Sequence, residues 1–123
     1  MDIFVVALRA WNPESVSILV EKFGLDPSAS DKDGAQLLHH FAGRDDVPMC
    51  QLLLSKFAVS PNIQDSNGQT PLHWFAKGKT DTQQAARMLL NHGASLTLED
   101  NAGRKPVDYA PKGSLVSALC RGK

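Results

Sequence analysis

Catalysis or metal binding would require suitable residues at a suitable spacing, and the best candidates in this chain are two histidines, His39 and His73. They lie 34 residues apart, and histidine can serve as an acid, a base or a metal ligand near neutral pH. His40 does not complete a site with His39, because adjacent helical residues do not face each other. The sequence also lacks a His-x-Glu or Cys-x-x-Cys pattern that would anchor a metal, so we expect no metal site.

Other kinds of catalytic and cofactor site have no sequence support either. A nucleophilic enzyme needs a serine or cysteine at a strained turn beside a base, and no serine here lies in a Gly-x-Ser-x-Gly setting. The glycines recur at regular distances and are not clustered as in a phosphate-binding loop. Asp45 and Asp46 fit a solvated turn and helix cap. We therefore expect a non-enzyme without a cofactor.

The composition argues against nucleic acid and membranes as partners. The 13 basic and 13 acidic residues cancel, which leaves no uniform field for a polyanion. The apolar run from Ile3 to Leu8 is too short to span a bilayer and is followed by no cleavage pattern. Cys50 and Cys120 are expected to be reduced packing residues. We predict an intracellular protein of the cytoplasm or nucleus.

A tandem repeat is the feature that must position any functional residue. The chain reads LVEKFGLDPSASDKDGAQLLHHFA from Leu19 to Ala42 and LLSKFAVSPNIQDSNGQTPLHWFA from Leu53 to Ala76. Ten of these 24 positions are identical, where average residue usage gives about one or two. The match predicts a stacked array, which forms an elongated surface and does not require a catalytic pocket.

Each unit begins with a turn that ends in glycine, namely Asp31 to Gly34, Asp65 to Gly68 and Asp100 to Gly103. Asp, Asn and Gly are suited to such reversals. Thr70-Pro71 then provides a capping residue and a proline for the first turn of a helix. Second helices are predicted at 13–22, 47–56 and 81–92, after the capping residues Asn12, Asp46 and Thr80. A short closing helix is predicted at 114–120. No alternating pattern is long enough to form a sheet.

These residues resemble the ankyrin repeat. The closest match runs Asp65-x-x-Gly68-x-Thr70-Pro71-Leu72-His73-x-x-Ala76, then Met88-Leu89-Leu90-x-x-Gly93-Ala94. The resemblance covers essentially the whole chain and implies one all-α domain, residues 1–123, built as a solenoid of about four stacked helix-turn-helix repeats. Its units would be an N-terminal capping repeat at 1–30, repeats at 31–64 and 65–99, and a C-terminal capping repeat at 100–123.

The resemblance also implies a function. His39 and His73 would bond the backbone of the neighbouring turn, and the chain would be a non-catalytic module that binds another protein through turn tips and the concave helical face. A regulatory or targeting segment of a larger enzyme or complex is the alternative. The matching positions are Lys32, Asp33, Ala35, Arg44, Ser66, Asn67, Gln69, Lys77, Lys79, Asn101, Ala102, Arg104 and Lys112.

One further position has two readings. His40, Trp74 and Tyr109 occupy equivalent places in the three units. They are either packing residues or a ladder of anchors partly open on the concave side. If a single anchor exists, Trp74 is the best choice because tryptophan provides a large contact area at low entropic cost.

Several departures from the family pattern carry expectations of their own. Gln36-Leu37 replaces Thr-Pro, so the first full repeat should lack that helix cap. Phe41 and Phe75 replace alanine between the helices. The loop at 77–82 is two residues longer than its counterpart and should protrude. The stretch 57–62 is one residue longer than 92–97 relative to the preceding leucines, which predicts non-uniform repeats.

The two ends suggest self-association. Residues 1–34 carry three basic and six acidic groups, whereas residues 104–123 carry five basic and one acidic. Apolar residues crowd the terminal helices, at Ile3 to Leu8 and at Leu115, Val116 and Leu119. A capping repeat should instead turn a polar face outward. We therefore expect the terminal helices to be candidates for contact with a partner, a second copy or an adjoining region of a longer chain.

Overall fold

The computed structural model describes residues 3–9, 12–44, 46–77 and 84–109, without the side chains of Ile3 and Phe4. These residues form α-helices and turns, and their only β-type pairing is an isolated bridge between Ser30 and Gln36. The closing helix predicted at 114–120 lies outside the described residues. So do residues 81–83 of the helix predicted at 81–92 and most of the loop expected to protrude at 77–82.

The helices follow one another in pairs, as the all-α prediction requires. The first pair is α1 (Ile3–Leu8) and α2 (Pro13–Phe23). The second is α3 (Leu37–Gly43) and α4 (Val47–Gln51), which continues as a π-helical turn over Leu52–Lys56. The third is α5 (Pro71–Lys77) and α6 (Gln84–Asn91), followed by a 3₁₀ helix at Pro106–Tyr109. Helices α1, α3, α5 and the 3₁₀ helix contact each other in that order, and α4 packs against α6. This is the stacking of a solenoid.

Capping residues start the second helices where the sequence placed them. Asn12 Oδ1 accepts the Ser15 N–H at 2.9 Å at the start of α2. Asp46 Oδ1 accepts the Met49 N–H at 3.4 Å at the start of α4. These bonds satisfy N–H groups that have no partner within the helix.

Helix α3 lacks the threonine cap, as expected, but a histidine bond is still present at its start. The Gln36 N–H donates to His39 Nδ1 at 3.0 Å, as the Thr70 N–H donates to His73 Nδ1 at 3.1 Å at the start of α5. Helix α5 has two further bonds at its start, from the His73 N–H to Thr70 Oγ1 at 3.3 Å and between Thr70 Oγ1 and His73 Nδ1 at 2.9 Å. The two helices are equally long, at seven residues each. One histidine bond is therefore enough to start α3.

The first two units have one more residue than the third, and this residue is accommodated at the C-terminal end of the second helix. The Val59 N–H donates to the Leu53 carbonyl, six residues back, at 2.9 Å. In the third unit the Ala94 N–H reaches the Leu89 carbonyl, five residues back, at 2.9 Å. The wider closing turn confirms that the repeats are not uniform.

A non-glycine residue takes a left-handed conformation at one of these helix ends. The equivalent positions in the first and third units are Gly24 and Gly93, with φ of 76° and 97°. In the second unit the position is Ala58, with φ of 55°. The Cβ of alanine makes this conformation unfavourable.

A continuous apolar core runs through the units. Phe41 and Phe75 are fully buried, together with Leu38, Leu72 and Leu89. Cys50 is fully buried in the same core, in agreement with its expected packing role, while Cys120 lies outside the described residues. Within the described ranges, no helix has the length and apolar character that crossing a bilayer requires.

Candidate functional site

The turn aspartates organise the surface that carries the predicted binding residues. In each turn, one carboxylate oxygen accepts the N–H groups two and four residues later. The bonds are 2.9 and 3.0 Å for Asp31, 2.9 and 2.9 Å for Asp65, and 2.9 and 3.0 Å for Asp100. The aspartates thus fix the shape of the turns and have a structural role.

The second oxygen of each aspartate accepts a bond from a side chain nine residues later. His40 Nε2 donates to Asp31 at 3.1 Å and Trp74 Nε1 donates to Asp65 at 3.0 Å. The Tyr109 hydroxyl donates to Asp100. The three residues at the equivalent position therefore tie each turn to the first helix of its own unit. Their rings are only partly buried, and the His40 side chain is 21% exposed.

Two of these bonds shift pKa values, at Asp31 in one unit and at Asp100 and Tyr109 in another. The Tyr109 hydroxyl holds the pKa of Asp100 well below its usual range, and the same bond raises the pKa of Tyr109. Burial alone would raise the pKa of Asp31. The bond from His40 and those from two backbone N–H groups outweigh burial, so the pKa of Asp31 is lowered. Hydrogen bonds to the ionised form account for the net direction at both carboxyls.

The two repeat histidines connect neighbouring units. His39 Nε2 donates to the Gln69 carbonyl at 2.8 Å, and His73 Nε2 donates to the Arg104 carbonyl at 2.9 Å. Both side chains are fully buried. Burial lowers the pKa of His39, which keeps its Nδ1 free to accept the Gln36 N–H. The structural role expected for His39 and His73 is confirmed.

Backbone bonds join the tips of successive turns. The Ser66 N–H donates to the Asp33 carbonyl and the Asn101 N–H to the Asn67 carbonyl, both at 2.9 Å. Asn101 Nδ2 adds a bond to the Ser66 carbonyl at 2.9 Å. The side chains of Asp33, Ser66 and Asn67 take no part in these bonds. Most tip side chains thus lie on a surface that the backbone supports.

An open cleft of about 380 Å³ lies on the face formed by α3 and α5. We call it the inner-face cleft, and its lining residues are His40, Gly43, Arg44, Trp74 and Lys77. The His40 and Trp74 rings meet edge to face, with centroids 4.9 Å apart. The cleft combines an aromatic wall with two cationic side chains.

A network from the next unit holds the lysine of this cleft. Lys77 Nζ donates to Gln69 Oε1 at 2.6 Å and lies 5.9 Å from the Trp74 ring centroid and 5.4 Å from that of Tyr109. Gln69 Nε2 in turn donates to Asp100 Oδ2 at 3.2 Å. The position of Lys77 therefore depends on the stacking of two units.

The structure places most of the predicted binding residues on this surface. Trp74 is partly exposed, and Gln69 and Ala35 are buried, with 7% and 1% of their surface exposed. Lys79 and Lys112 lie outside the described residues. The exposed ones are Lys32, Asp33, Arg44, Ser66, Asn67, Lys77, Asn101, Ala102 and Arg104.

Sequence reasoning did not anticipate the bonds from His40, Trp74 and Tyr109 to the turn aspartates. The signal available was the equal spacing of nine residues in all three units. It was hidden because the three residue types share little except a polar hydrogen-bond donor.

The first unit exposes apolar side chains. Val5 is 39% exposed, Ile18 46% and Phe23 67%. The described part of α1 does bury Ala7 completely, so this helix contributes to the core as well as to the surface. No group of three or more His, Cys, Asp or Glu residues within the described ranges could hold a metal ion.

A family model for ankyrin repeats, built of three copies, matches residues 3–100 and 57–122. No curated protein matches the chain at significant similarity. The family match covers nearly the whole sequence and agrees with the glycine turns, the paired helices and the histidine bonds between units. The chain therefore belongs to the ankyrin repeat family.

Proposed function

We propose that this chain is a non-catalytic module that binds a partner protein through its turn tips and concave helical face. Ankyrin repeats are generally protein-interaction modules. The observation that carries the proposal is the backbone linkage of the turn tips, Ser66 to Asp33 and Asn101 to Asn67. Because backbone groups hold the turns together, exposed tip side chains remain available for recognition.

The proposed surface follows from exposure and bonding. It consists of the tip residues Lys32, Asp33, Ser66, Asn67, Asn101 and Arg104 and the inner-face residues Arg44, Trp74 and Lys77. Gln69 supports Lys77 from a buried position and is not a contact residue in this proposal. Lys79 and Lys112 remain part of it on the sequence pattern alone.

We also propose that all four units, at 1–30, 31–64, 65–99 and 100–123, form a single domain. The continuous core supports this division, since the buried residues of the described units make one cluster. A unit of this size cannot bury its apolar face alone.

The test is a differential capture of proteins from a cell extract. The immobilised chain is compared with a surface variant, Lys32→Ala with Asn67→Ala and Arg104→Ala, and with a matched control on α6, Arg87→Ala. Arg87 is exposed and lines a different cleft, between α4 and α6. We expect the surface variant, but not the control, to lose specific partners identified by mass spectrometry. Equal capture by all three proteins would place recognition elsewhere.

A second candidate function is a regulatory or targeting segment that packs against an adjoining region or another subunit. The exposed side chains of Val5, Ile18 and Phe23 favour it, since a terminal unit that is not covered should turn a polar face outward. Light scattering across a range of concentrations tests the version in which a second copy provides the cover. We expect a dimer that Phe23→Glu dissociates, and a monomer at every concentration would exclude self-association through this unit.

A further inference from the structure

We propose that the inner-face cleft binds an acidic peptide segment, with a carboxylate between Arg44 and Lys77 and an adjoining apolar residue against the Trp74 ring. This inference rests on the proposed function, because it names the chemistry of the partner at one part of the proposed surface. Among the described residues, no acidic side chain forms an ion pair with either cation.

The two cations lack acidic partners within the described part of the chain. The ion pairs found there are His40 with Asp31 and Lys56 with Glu21. Arg44 Nη1 instead donates to the Leu8 carbonyl at 2.8 Å, and Lys77 donates to an amide oxygen. A guanidinium has five N–H donors and an ammonium three. Both groups therefore retain donors for a ligand carboxylate.

The carboxylates of Asp31 and Asp65 are bonded to the two aromatic residues of the cleft and hold the turns. Asp31 accepts two backbone N–H groups and the His40 ring. Asp65 is 9% exposed and accepts two backbone N–H groups and the Trp74 indole. Both oxygens of each group are engaged in holding a turn. Among the described residues, neither carboxylate forms an ion pair with Arg44 or Lys77.

The cleft is also preorganised for such an anion. Lys77 is fixed by Gln69 and by two aromatic rings, and the Arg44 guanidinium lies 5.5 Å from the Phe41 ring centroid. Side chains held in one geometry lose less entropy when they bind. Arginine is well suited to bidentate contact with a carboxylate.

Glycine at position 43 keeps the Trp74 ring accessible. A Cβ built on Gly43 would lie 3.6 Å from Trp74 Cε3, which is ordinary van der Waals contact. A side chain here would therefore fit the fold but cover part of the ring. The ring beside two cations suits an acidic residue with an apolar neighbour, since the carboxylate and the apolar group each find a partner. A longer side chain at Gly43 provides a way to block the cleft.

The charge pattern favours an acidic peptide over nucleic acid. A nucleic acid needs a track of many cations along its backbone, whereas the chain has no net charge and the cleft has Arg44 and Lys77 beside one aromatic wall. Two cations at one point match one or two carboxylates of a peptide.

The experiment is a selection of random 12-residue peptides displayed on phage against the whole chain. We expect the enriched peptides to contain an excess of Asp and Glu next to apolar residues. Synthetic copies in which Asn and Gln replace the acids should bind about tenfold more weakly, the effect of losing one charged hydrogen bond. Higher salt should also weaken binding of the acidic peptides.

Variants of the chain locate the binding. Lys77→Gln and Gly43→Gln should each weaken the selected peptides about tenfold, on the same hydrogen-bond argument, whereas the control Arg87→Gln should not. Circular dichroism and the melting temperature establish that each variant is folded. Gly43→Gln blocks the cleft, whereas Lys77→Gln removes a cation from it. If one of these variants fails to fold, the other still tests the proposal.

The possible failures are distinguishable. If the selected peptides are neutral or basic but do not bind the Gly43→Gln variant, the ligand is not a carboxylate. The proposed function would remain intact. Acidic peptides unaffected by Lys77→Gln and Gly43→Gln would overturn this cleft as their site. A selection that enriches no peptide would overturn the inference, while the differential capture would still decide whether a folded partner is bound.

Discussion

At the scale of single residues, one position of the repeat uses three side-chain types for the same bond. His40, Trp74 and Tyr109 differ in size and charge, yet each donates to the aspartate nine residues before it. The fold therefore requires a donor at this position, and the ring around the donor can vary. A residue can support its own turn and still present an aromatic surface to a partner.

His39 should make stability depend on pH. Its folded-state pKa is lowered by burial, whereas an unfolded histidine titrates near about 6.5. Between these two values the unfolded chain binds more protons, so stability rises with pH and the contribution is complete above about pH 6.5. We expect urea unfolding to show lower stability at pH 5 than at pH 7.5.

The variant His39→Asn provides the control for this effect. It should be less stable by about 1–3 kcal/mol at pH 7.5, because buried backbone partners are left unpaired. Its stability should also change less than that of the native chain between pH 5 and 7.5. An unchanged pH dependence in the variant would assign the effect to other groups.

Ala58 offers a stabilising substitution. Its φ of 55° is one that the equivalent Gly24 and Gly93 adopt without a side chain. Ala58→Gly should raise stability by about 0.5–1 kcal/mol, since an L-residue in this region costs about 1–2 kcal/mol and glycine loses part of that gain as chain entropy. Thermal unfolding measures the change. The matched variant Ala58→Val should lower stability, and a loss of stability in Ala58→Gly would contradict the argument.

At the scale of elements, a histidine bond starts both α3 and α5, and Thr70 adds further bonds at the start of α5. Helix α3 keeps the bond from Gln36 N–H to His39 Nδ1 but has no hydroxyl at the cap. In addition, Gln36 Oε1 is buried and accepts no hydrogen bond from the described residues. The glutamine therefore adds a buried polar atom without completing the cap.

Gln36→Thr should stabilise the chain by about 1 kcal/mol, because a cap is gained and an unpaired buried acceptor is removed. The backbone of Gln36 is already extended, with φ of −96° and ψ of 174°, as a cap residue requires. Thr70→Gln is the reverse change in the next unit and should lower stability by a similar amount. Equal urea midpoints for both variants and the native chain would show that the cap is energetically neutral.

The elements also show what the sequence could predict. The helix starts and the chain reversals could be predicted from Asn12, Asp46 and the Asp-to-Gly turns. Capping and turn formation depend on residues that are close in sequence. The π-helical turn at Leu52–Lys56 and the left-handed Ala58 were not predicted, since both result from fitting one extra residue into a helix end whose direction the stack determines. The sequence revealed the extra residue but not where it would be accommodated.

The candidate site was less predictable than the fold. Lys77 and Trp74 were predicted from their repeat positions, but the burial of Gln69 was not, because it follows from contacts with Asp100 and Tyr109 in the next unit. Contacts between units depend on three-dimensional stacking. A single sequence therefore identifies the surface positions more readily than it distinguishes contact residues from their supports.

At the scale of the whole molecule, close approach between turns couples the units. A Cβ on Gly68 would lie 2.6 Å from Asn101 Oδ1 and 2.9 Å from the Asn101 nitrogen. Gly103 has almost the same φ, 77° against 76°, but a Cβ there would meet no described atom within 4 Å. The two glycines thus separate backbone strain from crowding between repeats.

Both Gly68→Ala and Gly103→Ala should be destabilising, but to different extents. Gly103→Ala should cost about 1–2 kcal/mol through strain alone. Gly68→Ala should cost about 1–3 kcal/mol more, because the turn of the next unit must shift. Urea unfolding of both variants gives the difference. Equal losses would indicate that the turns separate without cost and that the stack is held by its helices.

The backbone bonds between turn tips have a consequence for how this molecule could change over generations. The Ser66-to-Asp33 and Asn67-to-Asn101 links would persist with almost any side chains at Lys32, Asp33, Ser66 and Asn67. Mutation at these positions can therefore explore new partners with little risk to folding. Asn101 is the exception, since its side-chain amide also donates a hydrogen bond to the Ser66 carbonyl in the preceding turn. In the same few residues, the side chains are thus free to vary while the backbone atoms keep their hydrogen bonds.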